Sequence, residues 1–345
     1  MNGVAVTPPH WLGREPAGSL LRIAIGGWTS GLYFARAKSL DGLVGYAPIV
    51  VRPRRLGEHR VAVVLPTQTW QAYNFRDDDH DGRVDTWYAG NGDQVHLFRP
   101  FLDRGVPFRF RHYDLPFLHW LARTGKQVDF LADGDLDRAS GDRLARAYDL
   151  IVFPGHHEYV TIREYDAIER YRNRGGNLMF LSANNFFWHV TRRGNTLTRV
   201  ERWRNLGRPE AGLVGAQYRG NDRGQRKGPW IVRDPATTPW LFAGTGLTEG
   251  SRFGSGGIEI DAAAPSSPRG IRVLAEIPRL YGPQFTAQMT YYETPAGAKV
   301  FAAGAFDLVE SVLEPDAPLP DRRALAAEPR ARRMLENLWA YLSSP

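Results

Sequence analysis

The chain has 345 residues, a formal net charge of +7 and a pI near 9.7, with 43% hydrophobic and 23% charged residues. These values are ordinary for a globular protein and allow one large domain or two with a sizeable core. The absence of cysteine excludes disulfides, thiolate metal sites and a cysteine nucleophile. Arginine is scattered along the chain, so the basic balance does not indicate a nucleic-acid partner.

No apolar run approaches the length of a membrane helix. The first residues, MNGVAVTPPHWLG, lack the basic and apolar regions of a signal peptide. We therefore expect a cytoplasmic protein with no membrane partner. The expected partner is a small-molecule substrate, and a homo-oligomer is left open.

Residues 1–55 alternate short β-prone runs with Gly and Asp turns, which predicts a β-rich N-terminal segment with a hairpin or part of a sandwich. Pro53 and the arginines beside it mark the boundary to an α/β domain over residues 56–345. The run RVAVVL at 60–65 is typical of a buried parallel strand, and we expect it to be the first strand of that domain. The segment TQTWQAYN, which follows Pro66, is predicted to be a loop at the carboxyl end of this strand.

The pattern beyond this strand alternates helices and strands and predicts an α/β fold with a parallel sheet. A long polar segment over 75–112 and an insertion of loops and short strands over about 191–260 interrupt it. The helices are expected at 114–124, 141–148, 161–174 and 323–342. The strands are expected at 128–131, 150–153, 177–182, 272–277, 288–293 and 298–303.

The segment 149–190 is central to the prediction, because it reads as two strands joined by one helix, with a polar cluster after each strand. The strands of such a βαβ unit are parallel, and open α/β sheets bind ligands beyond the carboxyl ends of their strands. After the first strand come His156, His157 and Glu158. After the second comes the turn SANN, with Asn184. We therefore expect the functional site at this edge.

Oxygen-rich side chains at this edge favour a metal site. The residues available are Tyr73, Tyr88, His156, His157 and Glu158. Phenolate and carboxylate oxygens are hard ligands that suit Fe(III) better than Zn or Cu. A Lewis-acidic metal polarises a carbonyl and lowers the pKa of bound water, which is the basis of metal-assisted hydrolysis. Tyrosines that only pack, and a histidine that is structural, are the alternative.

The β–α–β order with Pro-Gly after the first strand resembles the glutamine amidotransferase-like fold, a flavodoxin-like arrangement. In that fold the second turn carries a cysteine nucleophile, whereas this chain has SANN there and no cysteine. Ser182 is the replacement nucleophile to consider, but it lacks the G-x-S-x-G context that exposes a catalytic serine.

Several segments, taken in order, resemble the large (beta) subunit family of N,N-dimethylformamidase. They are TWQAYN, a Tyr-x-Gly loop, PFLHWLARTG, DLIVFPGHHEY and GGNLMFLSANNFFW, followed by MTYYETPAGAKVFAAGAFD and the final helix. The resemblance implies a glutamine amidotransferase-like core and an amidohydrolase acting on the C–N bond of a linear amide. It implies no small partner subunit here, and it leaves the substrate open.

The resemblance also implies one iron, held by two tyrosines and one glutamate. By motif position these ligands are Tyr73, Tyr88 and Glu158. Beside them, His156 or His157 is expected to orient or deprotonate water. Asn184 is expected to hydrogen-bond the substrate carbonyl, and Glu259 in GGIEID matches a further glutamate of the family.

The loop between the two tyrosine motifs contains DDDHDGRVD, which matches the start of a calcium-binding D-x-D-x-D-G loop. Its oxygen ligands would be Asp77, Asp79, Asp81 and Asp85. The twelfth position is Tyr88 instead of Glu and no helix pattern flanks the loop, so an EF-hand is rejected. A lone calcium site that stiffens the loop and a solvated acidic turn both stay open.

Two functions fit these residues. The first is a metal-dependent amide hydrolase that uses the iron-type site. The second is a non-catalytic protein that binds a small molecule or carbohydrate on a degenerate amidotransferase-like scaffold. Convergent oxygen ligands would favour the enzyme, whereas aromatic side chains lining a groove without them would favour the binding protein.

Overall fold

The computed structural model describes residues 3–16, 19–312 and 328–344. Within these ranges the strands form three sheets, with eleven, four and two members. In chain order the strands are β1 Gly31–Lys38, β2 Val44–Val51, β3 Val61–Leu65, β4 Gln94–His96, β5 Asp129–Ala132, β6 Leu150–Phe153, β7 Tyr159–Val160, β8 Asn177–Phe180, β9 Trp188–Arg193, β10 Thr196–Arg202, β11 Gln217–Asn221, β12 Lys227–Val232, β13 Arg252–Ala262, β14 Arg272–Ile277, β15 Ala287–Glu293, β16 Lys299–Ala302 and β17 Ala305–Phe306. The α-helices there are α1 Thr67–Ala72, α2 Phe110–Tyr113, α3 Leu115–Thr124, α4 Asp133–Leu136, α5 Gly141–Ala147, α6 Ile162–Asn173, α7 Ala211–Val214, α8 Pro239–Phe242 and α9 Pro329–Leu342.

One half of the eleven-stranded sheet is parallel, with neighbouring strands in the order β16, β8, β6, β3 and β5. The pairing of β6 with β8 is parallel and the two are joined by α6, which confirms the predicted βαβ unit. The helix begins at a capping box: Thr161 Oγ1 accepts from the Glu164 N–H at 3.2 Å, and the Glu164 carboxylate accepts from the Thr161 N–H at 2.7 Å. Both polar clusters therefore follow the carboxyl ends of parallel strands.

The other half of this sheet is antiparallel, and here the expectation of a parallel sheet is wrong. β15 pairs antiparallel with β16, and the sheet continues through β14, β12, β13 and β11. The cause is the short connections between β14, β15 and β16, which contain no crossover helix and so can only join antiparallel neighbours.

The region over 191–260, expected to be loops and short strands beside the site, contributes directly to the main sheet. It contains β11, β12 and most of β13, and β13 is the longest strand of the described chain. A separate four-stranded sheet, in the order β4, β10, β9 and β7, also draws on this region. The boundary between residues 1–55 and 56–345 stays a prediction.

The segment TQTWQAYN, predicted to be a loop, forms the short helix α1 instead. Its residues from Gln68 to Ala72 are buried, so tertiary contacts decide its conformation. Gln68, for example, donates through Nε2 to both carboxylate oxygens of Glu164 at 2.8 Å. The segment therefore forms a buried helix that ends just before Tyr73, although several of its side chains are polar.

Two apolar layers cover the parallel strands, one on each face. Val61, Val63 and Leu65 of β3 belong to one layer, and Ala62 and Val64 belong to the other. Because successive side chains of a strand point to opposite faces, a strand covered on both faces is apolar throughout. This arrangement accounts for the continuous run RVAVVL.

The two ends of the described chain pack differently. β1 and β2 form an antiparallel hairpin, one of the two arrangements expected for the N-terminal segment. α9 buries Met334, Leu335 and Leu338, and residues 323–327 of the predicted terminal helix lie outside the described ranges. Across the described residues, no helix combines the length and apolar character needed to cross a bilayer.

Candidate active site

Tyr73 and Glu158 meet at the carboxyl edge of the parallel strands. Tyr73 follows α1, which itself follows β3, and Glu158 lies in the turn between β6 and β7. The phenol oxygen of Tyr73 donates to Glu158 Oε2 in a short hydrogen bond. Both side chains are buried. Two residues 85 positions apart, each predicted as a ligand, are thus brought into direct contact.

His156 links Glu158 to a second glutamate. Its Nε2 lies 3.1 Å from Glu259 Oε2 and 3.7 Å from Glu158 Oε2. Glu259 arrives from β13, and its other oxygen accepts from Asn221 Nδ2 at 2.8 Å. All three members of this Glu158–His156–Glu259 group are buried. The structure therefore brings the predicted Glu259 to His156.

A distortion of β13 accompanies this placement. Ile258 has a left-handed backbone with φ of 68°, and the pairing of β13 with β17 is irregular between Gly257 and Ile260. Such bulges change the direction in which the neighbouring side chains point. The irregularity sits immediately beside Glu259.

Burial dominates the titration of these groups. It raises the pKa of Glu158 to about 7, and it raises the pKa of Tyr73 well above the usual range with Glu158 adding to the effect. For His156, burial favours the neutral imidazole, but the carboxylates of Glu259, Glu158 and Asp261 together outweigh it and the pKa is raised. The site therefore stabilises the protonated forms of Glu158, Tyr73 and His156.

Asn184 lies in the turn after β8. Its backbone is left-handed, with φ of 56°, and its N–H donates to both carboxylate oxygens of Asp261 at 2.9 and 3.0 Å. Its side-chain Oδ1 is buried without a hydrogen-bond partner. The backbone is thus fixed while the side-chain amide is left available to a ligand.

Asp261 is a site residue that the sequence analysis missed. It is buried, and burial raises its pKa to about 8. It lies two positions after Glu259 on β13, and residues two apart share one face of a strand. This alternation in GGIEID was the available signal, although it required knowing that the segment pairs beside the site.

Tyr88 completes the set of predicted ligands from the far end of residues 74–87, which we call the tyrosine loop. Its ring packs edge-on against the ring of Tyr73, with centroids 5.1 Å apart, and it is 40% exposed. Phe75 and Phe108 hold its other sides, at 5.6 and 5.0 Å. Tyr88 therefore lies at the solvent side of the site, and Tyr73 lies inside.

An aromatic pair that the sequence analysis did not single out covers His156. Tyr113 and Phe306 stack with centroids 4.2 Å apart, and their rings lie 6.2 and 5.1 Å from the His156 ring. Burial raises the pKa of Tyr113 well above its usual range. The pair forms an apolar wall beside the Glu158–His156–Glu259 group.

His157 points away from this group. Its Nδ1 lies 3.5 Å from Asp133 Oδ1, and its ring packs edge-on against Phe153. Burial lowers the pKa of His157. Of the two adjacent histidines, His156 is therefore the one that the structure brings to the predicted ligands.

Ser182 is fully engaged in the fold. Its hydroxyl donates to the Gly155 carbonyl at 2.6 Å and lies 3.1 Å from Asn185 Oδ1. This side chain ties the turn after β8 to the turn after β6. Such a role accounts for a buried serine without invoking nucleophilic chemistry.

The acidic residues of the tyrosine loop come together only in part. Asp77, Asp79 and Asp85 each bring an oxygen within 4.8 Å of the others, whereas Asp81 is absent from this group. Their carboxylates accept backbone N–H groups of the loop, as in the Asp85 bond to the Asp78 N–H at 2.7 Å. Calcium binding here stays a prediction.

The donors at the Tyr73 site fit a hard cation. Three buried carboxyl groups, Glu158, Glu259 and Asp261, act electrostatically on one imidazole, that of His156. A buried phenol beside a carboxylate ionises at neutral pH only when a positive charge offsets the burial. A metal ion of the kind that prefers oxygen ligands would supply that charge.

The fold and these contacts define an α/β protein with an oxygen-rich, acidic site at the carboxyl edge of its parallel strands. A family model described as N,N-dimethylformamidase beta subunit-like, C-terminal, matches residues 21–316. The chain belongs to this family, which confirms the resemblance seen in the sequence motifs.

Two relatives give the extent of the similarity. The chain is 31% identical over 136 residues to the N,N-dimethylformamidase beta subunit of Paracoccus aminophilus, and it matches that of an Alcaligenes species to the same extent. Each alignment covers 39% of this chain and 17% of the relative. The chain thus matches less than a fifth of the length of these relatives.

Proposed function

We propose that this chain hydrolyses the C–N bond of a small linear amide with the help of a bound metal ion. The observation that carries the proposal is the hydrogen bond from Tyr73 to Glu158 beside the pair of His156 and Glu259. The names of the relatives support the reaction class, since both are called N,N-dimethylformamidase beta subunit.

Iron is the proposed metal, and Tyr73, Tyr88 and Glu158 are its proposed ligands. When bound, iron would act as a Lewis acid towards the amide carbonyl and a water molecule. Tyr73 and Glu158 support the assignment by direct contact, and Tyr88 by its packing on Tyr73. The phenols and the carboxylate are hard donors, which is the ligand type that iron(III) prefers.

His156 is proposed to carry the proton that the reaction moves. Its Nε2 lies between the carboxylates of Glu158 and Glu259, so the imidazole is oriented and its protonated form is stabilised. It can accept a proton from the attacking water and return it to the leaving amine. Glu259 acts by holding the ring and by stabilising the imidazolium.

Asn184 is proposed to bind the substrate. The two hydrogen bonds from its N–H to Asp261 fix the backbone, and its side-chain amide is not used by the fold. An amide group can accept from one substrate atom and donate to another. A donor aimed at the carbonyl oxygen stabilises the charge that develops there.

The five parallel strands, with α6 between β6 and β8, are proposed to be a glutamine amidotransferase-like core. The Pro-Gly turn after β6 and the SANN turn after β8 support this, because they occupy the two strand ends that carry chemistry in that fold. The cysteine of that fold has no counterpart here. The site would therefore use the same edge for different chemistry.

Metal analysis together with Tyr73→Phe tests the proposal. The purified chain should contain iron and show a visible tyrosinate-to-metal absorption, and it should release dimethylamine from N,N-dimethylformamide. Tyr73→Phe removes one oxygen, and we expect it to abolish most of the absorption and to lower kcat by at least ~100-fold. The matched control is Tyr165→Phe, another buried tyrosine, whose hydroxyl lies 3.5 Å from the Arg208 carbonyl oxygen.

A folded, colourless and metal-free wild type whose turnover is unchanged by Tyr73→Phe would refute the metal-dependent hydrolase. The non-catalytic alternative makes a different prediction. It requires saturable binding of an amide, measured by calorimetry, with no release of amine over the same period.

A further inference from the structure

The tyrosine loop delivers Tyr73 and Tyr88 from its two ends, yet the loop itself has little regular structure. Its tip, residues 79–83, is exposed, whereas Asn74 and Thr86 near its ends are buried. Two side chains on a loop of this kind keep a fixed separation only if something ties the two ends together.

Arg99 ties them. It stands outside the loop, after β4, and its guanidinium is almost completely buried. One nitrogen, Nη2, donates to the carbonyl oxygens of Gln71 at 2.6 Å, Asn74 at 3.3 Å and Asp85 at 2.7 Å. The first two acceptors flank Tyr73, and the third lies three residues before Tyr88. A single atom therefore joins the backbones that carry the two phenols.

The remaining donors of Arg99 bind further residues at the two ends of the tyrosine loop, which together we call its base. Nη1 donates to the Arg76 carbonyl at 3.2 Å and lies 3.4 Å from Asp78 Oδ2. Nε is 3.4 Å from Gln71 Oε1. Burial lowers the pKa of Arg99, but guanidinium remains charged at neutral pH. Its contacts are mainly with backbone carbonyls, so its role is to set the path of the chain.

We propose that Arg99 is the positioning residue that sets the spacing of the Tyr73 and Tyr88 phenols, so that both can reach one metal ion. This inference rests on the proposed iron site. Thr86 adds a weaker tie, because its hydroxyl donates to the Ala72 carbonyl at 3.2 Å. Arg99 contacts neither phenol, and it acts only through the backbone.

The chemistry of this role requires arginine. Its planar fork presents five N–H donors over a fixed area, which matches carbonyls that arrive from two chain segments. A lysine at the same place keeps the charge and most of the stem. Its three donors sit on one nitrogen, so it cannot keep the three Nη2 bonds together with the Nη1 and Nε contacts to Arg76, Asp78 and Gln71.

Arg99→Lys in the full chain is the test, with visible absorption per iron as the readout. We expect the variant to fold and to retain iron through Tyr73 and Glu158, while absorption per iron falls to about half because one of two tyrosinates is lost. Tyr88→Phe should give the same spectrum. The double variant Arg99→Lys/Tyr88→Phe should then show no further loss, as expected for residues that act as a unit.

Arg172→Lys is the matched control. Arg172 is also partly buried and donates to a backbone carbonyl, that of Gly212 at 2.6 Å, far from the predicted ligands. The Arg172→Lys variant should have a lower free energy of unfolding, and its absorption per iron should equal that of the wild type. Thr86→Val provides a second variant of the same base if Arg99→Lys does not fold, and it should lower the absorption per iron by a smaller fraction.

The outcomes separate the two proposals. Wild type that contains iron and absorbs, with unchanged absorption per iron in Arg99→Lys, would overturn the role of Arg99 and leave the iron site intact. If Arg99→Lys does not fold, Thr86→Val takes its place in the test. Unchanged absorption per iron in Thr86→Val would then overturn the proposed tie between the two ends of the loop. Wild type that neither contains nor takes up added Fe(III) would overturn the iron site and, with it, this inference.

Discussion

Two segments deliver the site residues, and they are held by different means. The strand-end turn, residues 154–158, is buried throughout and is bonded on several sides. The Glu158 carbonyl accepts from Phe187 and Trp188, and the Glu158 N–H donates to Thr69 Oγ1 at 3.3 Å. The tyrosine loop, in contrast, has an exposed tip and a base tied by Arg99 and by hydrogen bonds between its two ends, such as the Asp85 N–H to the Arg76 carbonyl at 2.9 Å.

Because the two segments are held differently, we expect changes in one to affect mainly stability and changes in the other to affect mainly the site. A change in the strand-end turn disturbs the core of the fold, because the turn is built from the same contacts as the sheet. A change in the tyrosine loop should alter the site while most of the fold survives.

Gly155→Ala should be the most damaging single substitution in this comparison. A Cβ at this position would overlap Asp114 Oδ1 and lie 3.0 Å from Asp114 Cγ and 3.3 Å from Pro66 Cγ. Overpacking at a buried site of this kind should lower the free energy of unfolding by about 3 kcal/mol. Urea denaturation followed by circular dichroism measures it.

Gly82→Ala in the tyrosine loop is the matched control. Gly82 has φ of 86°, and no atom lies within 4 Å of the place that an alanine Cβ would occupy, so only the left-handed backbone opposes alanine. That strain costs about 1 kcal/mol. Equal losses for the two glycines would contradict the proposed contrast.

Asp114→Asn should change how stability depends on pH. Asp114 is buried beside the strand-end turn, and burial raises its pKa to about 7 despite a 3.1 Å hydrogen bond from Trp70 Nε1. The unfolded chain ionises near pH 3.8, so this group stabilises the fold at low pH, and that contribution is lost as the pH rises to about 7. Between pH 5 and 8 the wild type should lose about 2.5 kcal/mol relative to Asp114→Asn.

Urea unfolding of both proteins at pH 5, 6, 7 and 8 checks this difference. Comparison with the variant removes the contributions of other buried acids, which are present in both proteins. A constant difference across this range would mean that Asp114 ionises as freely in the folded chain as in the unfolded one.

Calcium should have a smaller effect than Gly155→Ala or Asp114→Asn, because it would bind only in the tyrosine loop. If Asp77, Asp79 and Asp85 bind the ion, calcium at ten times its dissociation constant should raise the free energy of unfolding by about 1.4 kcal/mol. EGTA should reverse the change, and Asp79→Asn should remove it. Thermal unfolding that is identical with calcium and with EGTA would leave the loop as a solvated acidic turn.

The sequence was most informative where local pattern and burial agree. Continuous apolar runs predicted β3, β6 and β8, and the helical pattern of residues 161–174 predicted α6. These signals lie within a few residues of one another, so they can be read from one segment. They were sufficient to place Glu158 and Asn184 at strand ends.

The missed features depend on contacts between distant segments. The antiparallel half of the sheet sets the register of β13, and only that register brings Asp261 to Asn184. The choice between His156 and His157 is of the same kind, since adjacent residues face opposite ways and the sequence does not say which face is the site. α1 was predicted to be a loop because its polar side chains find their hydrogen-bond partners far along the chain, as Gln68 does with Glu164 and Thr67 with Asp133.

The exposed tip of the tyrosine loop also bears on how such a site can diversify. Because the base is tied at Gln71, Asn74 and Asp85, residues inserted at 79–83 need not move either phenol. The entropic cost of closing a longer loop grows slowly, by about 0.6 kcal/mol for each doubling of length. The tip can therefore change in length and chemistry, and reshape the surface beside Tyr88, at little expense to the proposed metal ligands.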